Sequence, residues 1–149
     1  MEFKTPQSIK AEHNKLNFQL GIITNIKGKI GEAAKQMIEI LHPHFLKEEE
    51  YAIPPLSLLP IIVKNEISPD MYEILDLTNK LKSEYNNLLK EHKTILSTQK
   101  KLKSAAEMEN RSDVMKFTND LILHAQTEEE ILYPTSILIG EYIKLKYKV

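Results

Sequence analysis

No cysteine occurs in the 149 residues. A disulfide framework, a thiolate zinc site, a cysteine-ligated iron–sulfur cluster and a cysteine nucleophile are thereby excluded. The composition suits a reducing compartment, and a cytoplasmic protein is expected. Aromatic residues are sparse and no basic stripe is interleaved with them, so no nucleic-acid surface is expected. The formal net charge of −1 supplies no field to attract nucleic acid or an anionic membrane. No apolar run approaches the roughly 18 residues that span a bilayer. Leu56 to Val63 is the most apolar stretch, and it is short and holds Pro60. The opening Met-Glu-Phe-Lys-Thr-Pro-Gln has no apolar core of the kind a signal peptide needs, so none is expected. Strand signals are missing apart from Ile61–Val63, and no low-complexity segment or long linker appears.

What remains is helical. A chain of this length forms one ordinary domain, expected over residues 1–149. Thr5-Pro6 has the form of an N-cap followed by proline at the first helical position. Ile9, His13, Leu16, Leu20 and Ile23 then recur at three- and four-residue steps, one face of a helix that Gly28 is expected to close. A second helix is expected from about Ile30 to Ile53, with Ile30, Ala34, Met37, Leu41, His44, Glu48 and Tyr51 inward. Pro43 predicts a kink or break just before His44. Pro54-Pro55 end that helix, and the irregular stretch from Leu56 to Ser68 is expected to cover one end of a bundle. A long third helix follows from Pro69 to about Ala106, its inner face Leu81, Tyr85, Leu88, His92, Ile95, Gln99 and Leu102. The fourth begins near Asp113 and carries Val114, Phe117, Leu121, His124, Glu128 and Ile131, with Pro134 ending or bending it. A short terminal helix over Thr135 to Tyr147 is expected to pack on the outside.

Two segments repeat one another. His44-Phe-Leu-Lys-Glu48-Glu-Glu-Tyr-Ala-Ile-Pro54 and His124-Ala-Gln-Thr-Glu128-Glu-Glu-Ile-Leu-Tyr-Pro134 share the order His, three residues, three glutamates, three residues, Pro. Single histidines stand earlier in each half, in Glu12-His13 and Glu91-His92, and nearly equal steps lead from each to its motif. Positions i and i+4 lie on one helical face, so each motif sets an imidazole beside a carboxylate. The inward stripes place His13, His44, Glu48, His92, His124 and Glu128 among apolar residues, with no Arg or Lys there to pair the acids. Buried carboxylates are neutralised, paired or metal-bound. One histidine on an apolar face is ordinarily a satisfied core residue; four, two of them with a carboxylate at i+4, point to metal. Imidazole and carboxylate without sulfur suit iron, manganese or zinc. A four-helix bundle would bring the six groups to its axis, with two carboxylates bridging two ions and two histidines on each.

The other acidic residues have duller readings. Glu49-Glu50 and Glu129-Glu130 read as solvated faces. Glu12 and Glu91 read as surface residues, either of which could alternatively accept a proton from a ligating imidazole. His42 is offset from the stripe and counts as a ligand only if Pro43 distorts the helix. Glu39-x-x-His42 is half of a ferritin-like motif whose second copy is missing.

The set His13, His44-x-x-x-Glu48, His92, His124-x-x-x-Glu128 resembles the hemerythrin-like proteins, the HHE cation-binding domain, over nearly the whole chain. The resemblance implies an all-α, up-and-down four-helix bundle with a non-haem di-iron centre. Two iron ions would be bridged by Glu48 and Glu128 and by an oxo or hydroxo group, with the four histidines completing the site. It implies dioxygen, peroxide or nitric oxide as small ligands. Oxygen carriers of the family have an additional histidine where this chain has Leu88, and a His-x-x-x-x-Asp spacing where it has His124-x-x-x-Glu128. The pattern is closer to members linked to iron or oxygen sensing, peroxide breakdown, and nitric oxide or iron-centre repair; the repair proteins usually carry an N-terminal cysteine segment that this sequence does not show. Tyr51 and Tyr85 fall on inward faces and are candidates for a further ligand, a core tyrosine with a satisfied hydroxyl being the commoner case. Four readings follow: a reactive di-iron protein, an iron- or oxygen-sensing or iron-handling module without turnover, a reversible oxygen carrier, and a plain bundle without metal.

Overall fold

The computed structural model describes residues 2–148, and they are helical with no strand among them. Six α-helices follow in order: α1 (Gln7–Ile23), α2 (Lys29–Lys47), α3 (Leu59–Val63), α4 (Ile74–Met108), α5 (Ser112–Thr127) and α6 (Tyr133–Tyr147). Short π-helical segments, Glu48–Ala52 and Glu128–Leu132, continue α2 and α5. Helix α1 packs on α2 and α5, and α4 packs on the same two, which closes a four-helix bundle. The expected all-α, four-helix architecture is the one observed.

The inward stripes set this packing. Leu16, Leu20, Ile30, Met37, Leu41, Ile95, Leu102, Val114, Phe117 and Leu121 form one buried cluster. Tyr51, Ile53, Leu56, Leu58, Ile74, Leu81, Leu88, Tyr133, Ile139 and Ile143 form a second. Each full burial of a large aliphatic side chain contributes roughly 1.5–3 kcal/mol. Along α4, Leu81 and Leu88 belong to the second cluster and Ile95 and Leu102 to the first, with His92 between them. The bundle is therefore apolar at both ends and polar in a middle layer.

Several boundaries differ from the sequence-based expectation. Gly28 does not close α1; with φ of 92° it stands immediately before α2, after a short turn. Thr5 does not cap α1, and its hydroxyl reaches the Glu49 carbonyl instead. Helix α2 runs unbroken through Pro43. Both Pro43 and Glu39, whose carbonyl loses its partner, are exposed, so water can take that carbonyl. Ile61–Val63 lies in α3, not a strand. Residues 54–63 pack Leu56 and Leu58 over one bundle end, although Val63 is left exposed.

The departures from α geometry begin at the glutamate of each His-x-x-x-Glu motif. The Ile53 amide donates to the Glu48 carbonyl at 2.9 Å, and the Tyr133 amide donates to the Glu128 carbonyl. Both bonds span five residues. Pro54 and Pro134, next in sequence, have no N–H to offer the preceding turn, so the last available donor reaches back further. The extra residue shifts the helical phase. Ile131, expected inward, is 56% exposed, and Tyr133 turns fully inward instead. The expected terminal helix is α6, but it follows the second π segment without a gap and buries Ser136, Ile139, Gly140 and Ile143 against the bundle.

Candidate metal centre

The six residues singled out in the sequence meet in the middle layer. Helix α1 presents His13, α2 presents His44, the first π segment begins with Glu48, α4 presents His92, α5 presents His124, and the second π segment begins with Glu128. All six are buried. Their donor atoms fall into two groups, His13, His124, Glu48, Glu128 and His44, His92, Glu48, Glu128, and within each group all four lie within 4.8 Å of one another. Both glutamates belong to both groups. One Glu128 oxygen lies 3.3 Å from His92 Nε2, and the other lies 3.0 Å from His124 Nε2 and 3.5 Å from His13 Nε2. Glu48 Oε1 lies 3.3 Å from His44 Nε2 and 3.8 Å from His13 Nε2. Donors bonded at about 2.1 Å to one ion stand about 3–4 Å apart, so this spacing fits a shared cation.

Each imidazole turns its other nitrogen outward to a carboxylate. His13 Nδ1–H donates to Glu49 at 3.0 Å, His44 Nδ1–H to Glu91 at 2.9 Å, and His92 Nδ1–H to Glu129 at 2.8 Å. His124 Nδ1–H donates to Glu12. Lys10 and Lys47 in turn bond the second oxygens of Glu49 and Glu91, at 2.6 and 2.7 Å. Such bonds fix the tautomer that leaves every Nε2 directed at the centre. Glu49 and Glu129 are thus not simply solvated faces, and Glu12 and Glu91 take the second of their two expected roles. Glu50 and Glu130 stay exposed, bonded to Lys80 and Gln126. The pattern is symmetric. The glutamate before each single histidine serves a histidine of a His-x-x-x-Glu motif, and the glutamate after each motif serves a single histidine. Equal offsets in both halves carried that signal.

Charge in the centre is divided unevenly. Burial, and after it the charge of Glu128, push the Glu48 carboxyl well above the usual carboxylate range. Burial acts on Glu128 in the same direction, but Glu48 and the imidazoles of His124, His13 and His92 hold it well below that range. Burial lowers the His44 pKa. For His92 and His124 burial is outweighed by Glu128, with Glu129 and Glu12 adding to it, and both are raised.

Four donor atoms remain unsatisfied. His13 Nε2, His124 Nε2, Glu48 Oε1 and Glu128 Oε2 are buried and make no hydrogen bond of acceptable geometry. All four are on residues of one group, His13, Glu48, His124 and Glu128. The chemistry of the set and its orphaned atoms fit a divalent or trivalent metal.

Tyr133 was not anticipated. Its ring is fully buried, and its hydroxyl donates to Glu48 Oε2 at 2.5 Å and stands 3.2 Å from His92 Nε2 and 3.5 Å from His44 Nε2. The tyrosines that were anticipated lie elsewhere. Tyr51 packs under the Lys80 ammonium, 4.9 Å from its ring centroid, and Tyr85 meets the Tyr133 ring edge-on. Neither hydroxyl bonds to the cluster among the described residues. His42 is exposed and outside it. Leu88 is fully buried in the second apolar cluster.

Fold and cluster together place the chain among helical bundles that carry a histidine–carboxylate cluster able to hold metal. The chain matches the hemerythrin HHE cation binding domain over residues 6–136 and belongs to that family. No curated protein and no solved structure shows significant similarity to it. Among the described residues no helix is long and apolar enough to cross a membrane.

Proposed function

We propose that the centre holds two non-haem iron ions, one between His13 and His124 and one between His44 and His92, with Glu48 and Glu128 shared. We propose further that the loaded site binds or reacts with dioxygen, peroxide or nitric oxide in the cytoplasm. The four orphaned buried donors carry this reading. Each unsatisfied buried polar atom costs about 1–3 kcal/mol, and a cation bound among them would remove that penalty at all four. Imidazole and carboxylate donors without thiolate suit iron, and iron with free coordination positions supplies redox chemistry towards small oxidants. The chain's own residues hold, orient and shield. The outer glutamates fix the rings, Phe45 stacks flat on His13 with centroids 4.0 Å apart, and the apolar clusters on both sides keep bulk water out. Peroxide consumption by iron-loaded protein tests the reactive form of the reading. His124→Ala is expected to slow it at least tenfold, and equal rates would discard that form.

A sensing or iron-handling role without turnover is the second reading. It is favoured by the position of the cluster, which draws its side chains from all four long helices and their π extensions. Iron would then change protease resistance; identical digestion with and without iron would remove this reading. Leu88 argues against reversible oxygen carriage, which a stable oxy form cycling with oxygen pressure would restore.

A further inference from the structure

The two halves of the centre match in their inner histidines and glutamates and differ at the residue that follows each π segment. Tyr133 follows the second π segment, and the matching position after the first is Ile53, fully buried and without a donor. The Tyr133 hydroxyl faces the donors of one half only: Glu48 Oε2, His92 Nε2 and His44 Nε2. Its ring is clamped, stacked on His92 with centroids 5.6 Å apart and edge-on to Tyr85 at 6.2 Å. Both orphaned histidine nitrogens, His13 Nε2 and His124 Nε2, belong to the other half, and the two orphaned glutamate oxygens are on the residues the halves share. His124 of that half also borders the surface. A surface cavity of about 340 Å³ between α1 and α5 is lined by Glu12, Leu16, Leu123 and His124 among others.

We infer that Tyr133 supplies a fifth protein donor to the ion between His44 and His92, leaving the ion between His13 and His124 as the one with positions for an external small ligand. The inference rests on the di-iron reading above. When ferric ion binds, the phenol O–H bond breaks, its proton leaves to solvent and an oxygen–iron bond forms, with no change of oxidation state. The competing arrangement is a phenol that stays protonated and only orients Glu48.

Visible absorption and resonance Raman spectroscopy of the ferric-loaded full chain separate the two. The expected result is a phenolate-to-iron charge-transfer band, with ring modes that shift when the tyrosines are ring-deuterated. Tyr133→Phe loses the band, while Tyr51→Phe and Tyr85→Phe keep it with two ions per chain. Should Tyr133→Phe fail to fold, the deuterated wild type and the other two variants still assign the band. With azide as probe, an azide–iron band appears while the phenolate modes persist. Two irons per chain without phenolate modes, or a band that survives Tyr133→Phe, overturns the tyrosine ligand and leaves the di-iron reading standing. Loss of the phenolate modes on adding azide, or no azide binding, overturns the assignment of the open ion. Fewer than two irons in the wild type overturns the di-iron reading itself.

Discussion

Glu129 shows how much a single residue's role depends on what its neighbours do. A helical wheel sets it about 100° away from Glu128, on the wet side of the helix. Its side chain nevertheless remains within reach of His92 Nδ1, as Glu49 does for His13. Removing an outer partner of this kind typically costs 10–100-fold in metal affinity. Glu129→Gln is therefore expected to weaken iron binding about tenfold or more in competition with a chelator, while Glu130→Gln, one residue further on, leaves it unchanged. Equal affinities for the two variants would show that the bond to His92 is incidental. The six inward residues were legible because the apolar stripes hold all of them and i, i+4 spacing pairs His44 with Glu48 and His124 with Glu128. The outer glutamates were legible only as a repeat, since periodicity alone makes them surface.

The π segments are the elements the sequence concealed. A period of 3.6 residues carries the inward stripe from Glu128 to Ile131, and the structure exposes Ile131 and buries Tyr133. The signal was present as punctuation, with Pro54 and Pro134 at the same distance from Glu48 and Glu128, but its consequence depends on which backbone donor the proline removes. Inserting one alanine after Ile131 adds a further residue to the second π segment and turns the face of α6 by about 100°. Ile139 and Ile143 would then leave the core, so the unfolding midpoint is expected to fall by several degrees. An unchanged midpoint in thermal denaturation would contradict the phase shift. Helix α6 is also held close to α4. A Cβ added at Gly140 would lie 2.3 Å from Thr78 Oγ1, so Gly140→Ala is expected to destabilise by about 1–3 kcal/mol in chemical denaturation. A neutral result would mean that the two helices part without cost.

Across the molecule, the fold was legible because four amphipathic stripes leave a bundle as the way to bury them. The connection from α2 to α4 was less so, because its apolar residues follow no single period. The histidine–glutamate cluster makes the bundle a layered object, with two apolar clusters joined through a polar layer of side chains from every long helix. The buried carboxyls of Glu48 and Glu128 lie in one cluster, and a cation bound there would offset their charge. Ligand at a hundred times its dissociation constant stabilises the folded state by about 2.7 kcal/mol, which corresponds to about 5–10 °C in a domain of this size. Iron-loaded protein is expected to unfold that much higher than chelator-treated protein, and restored iron should restore the midpoint. Stoichiometry bears most directly on the whole proposal. Elemental analysis of protein purified from iron-supplemented cells is expected to find two irons per chain, and fewer in His124→Ala. Wild-type protein that is folded yet carries no iron above background would contradict it.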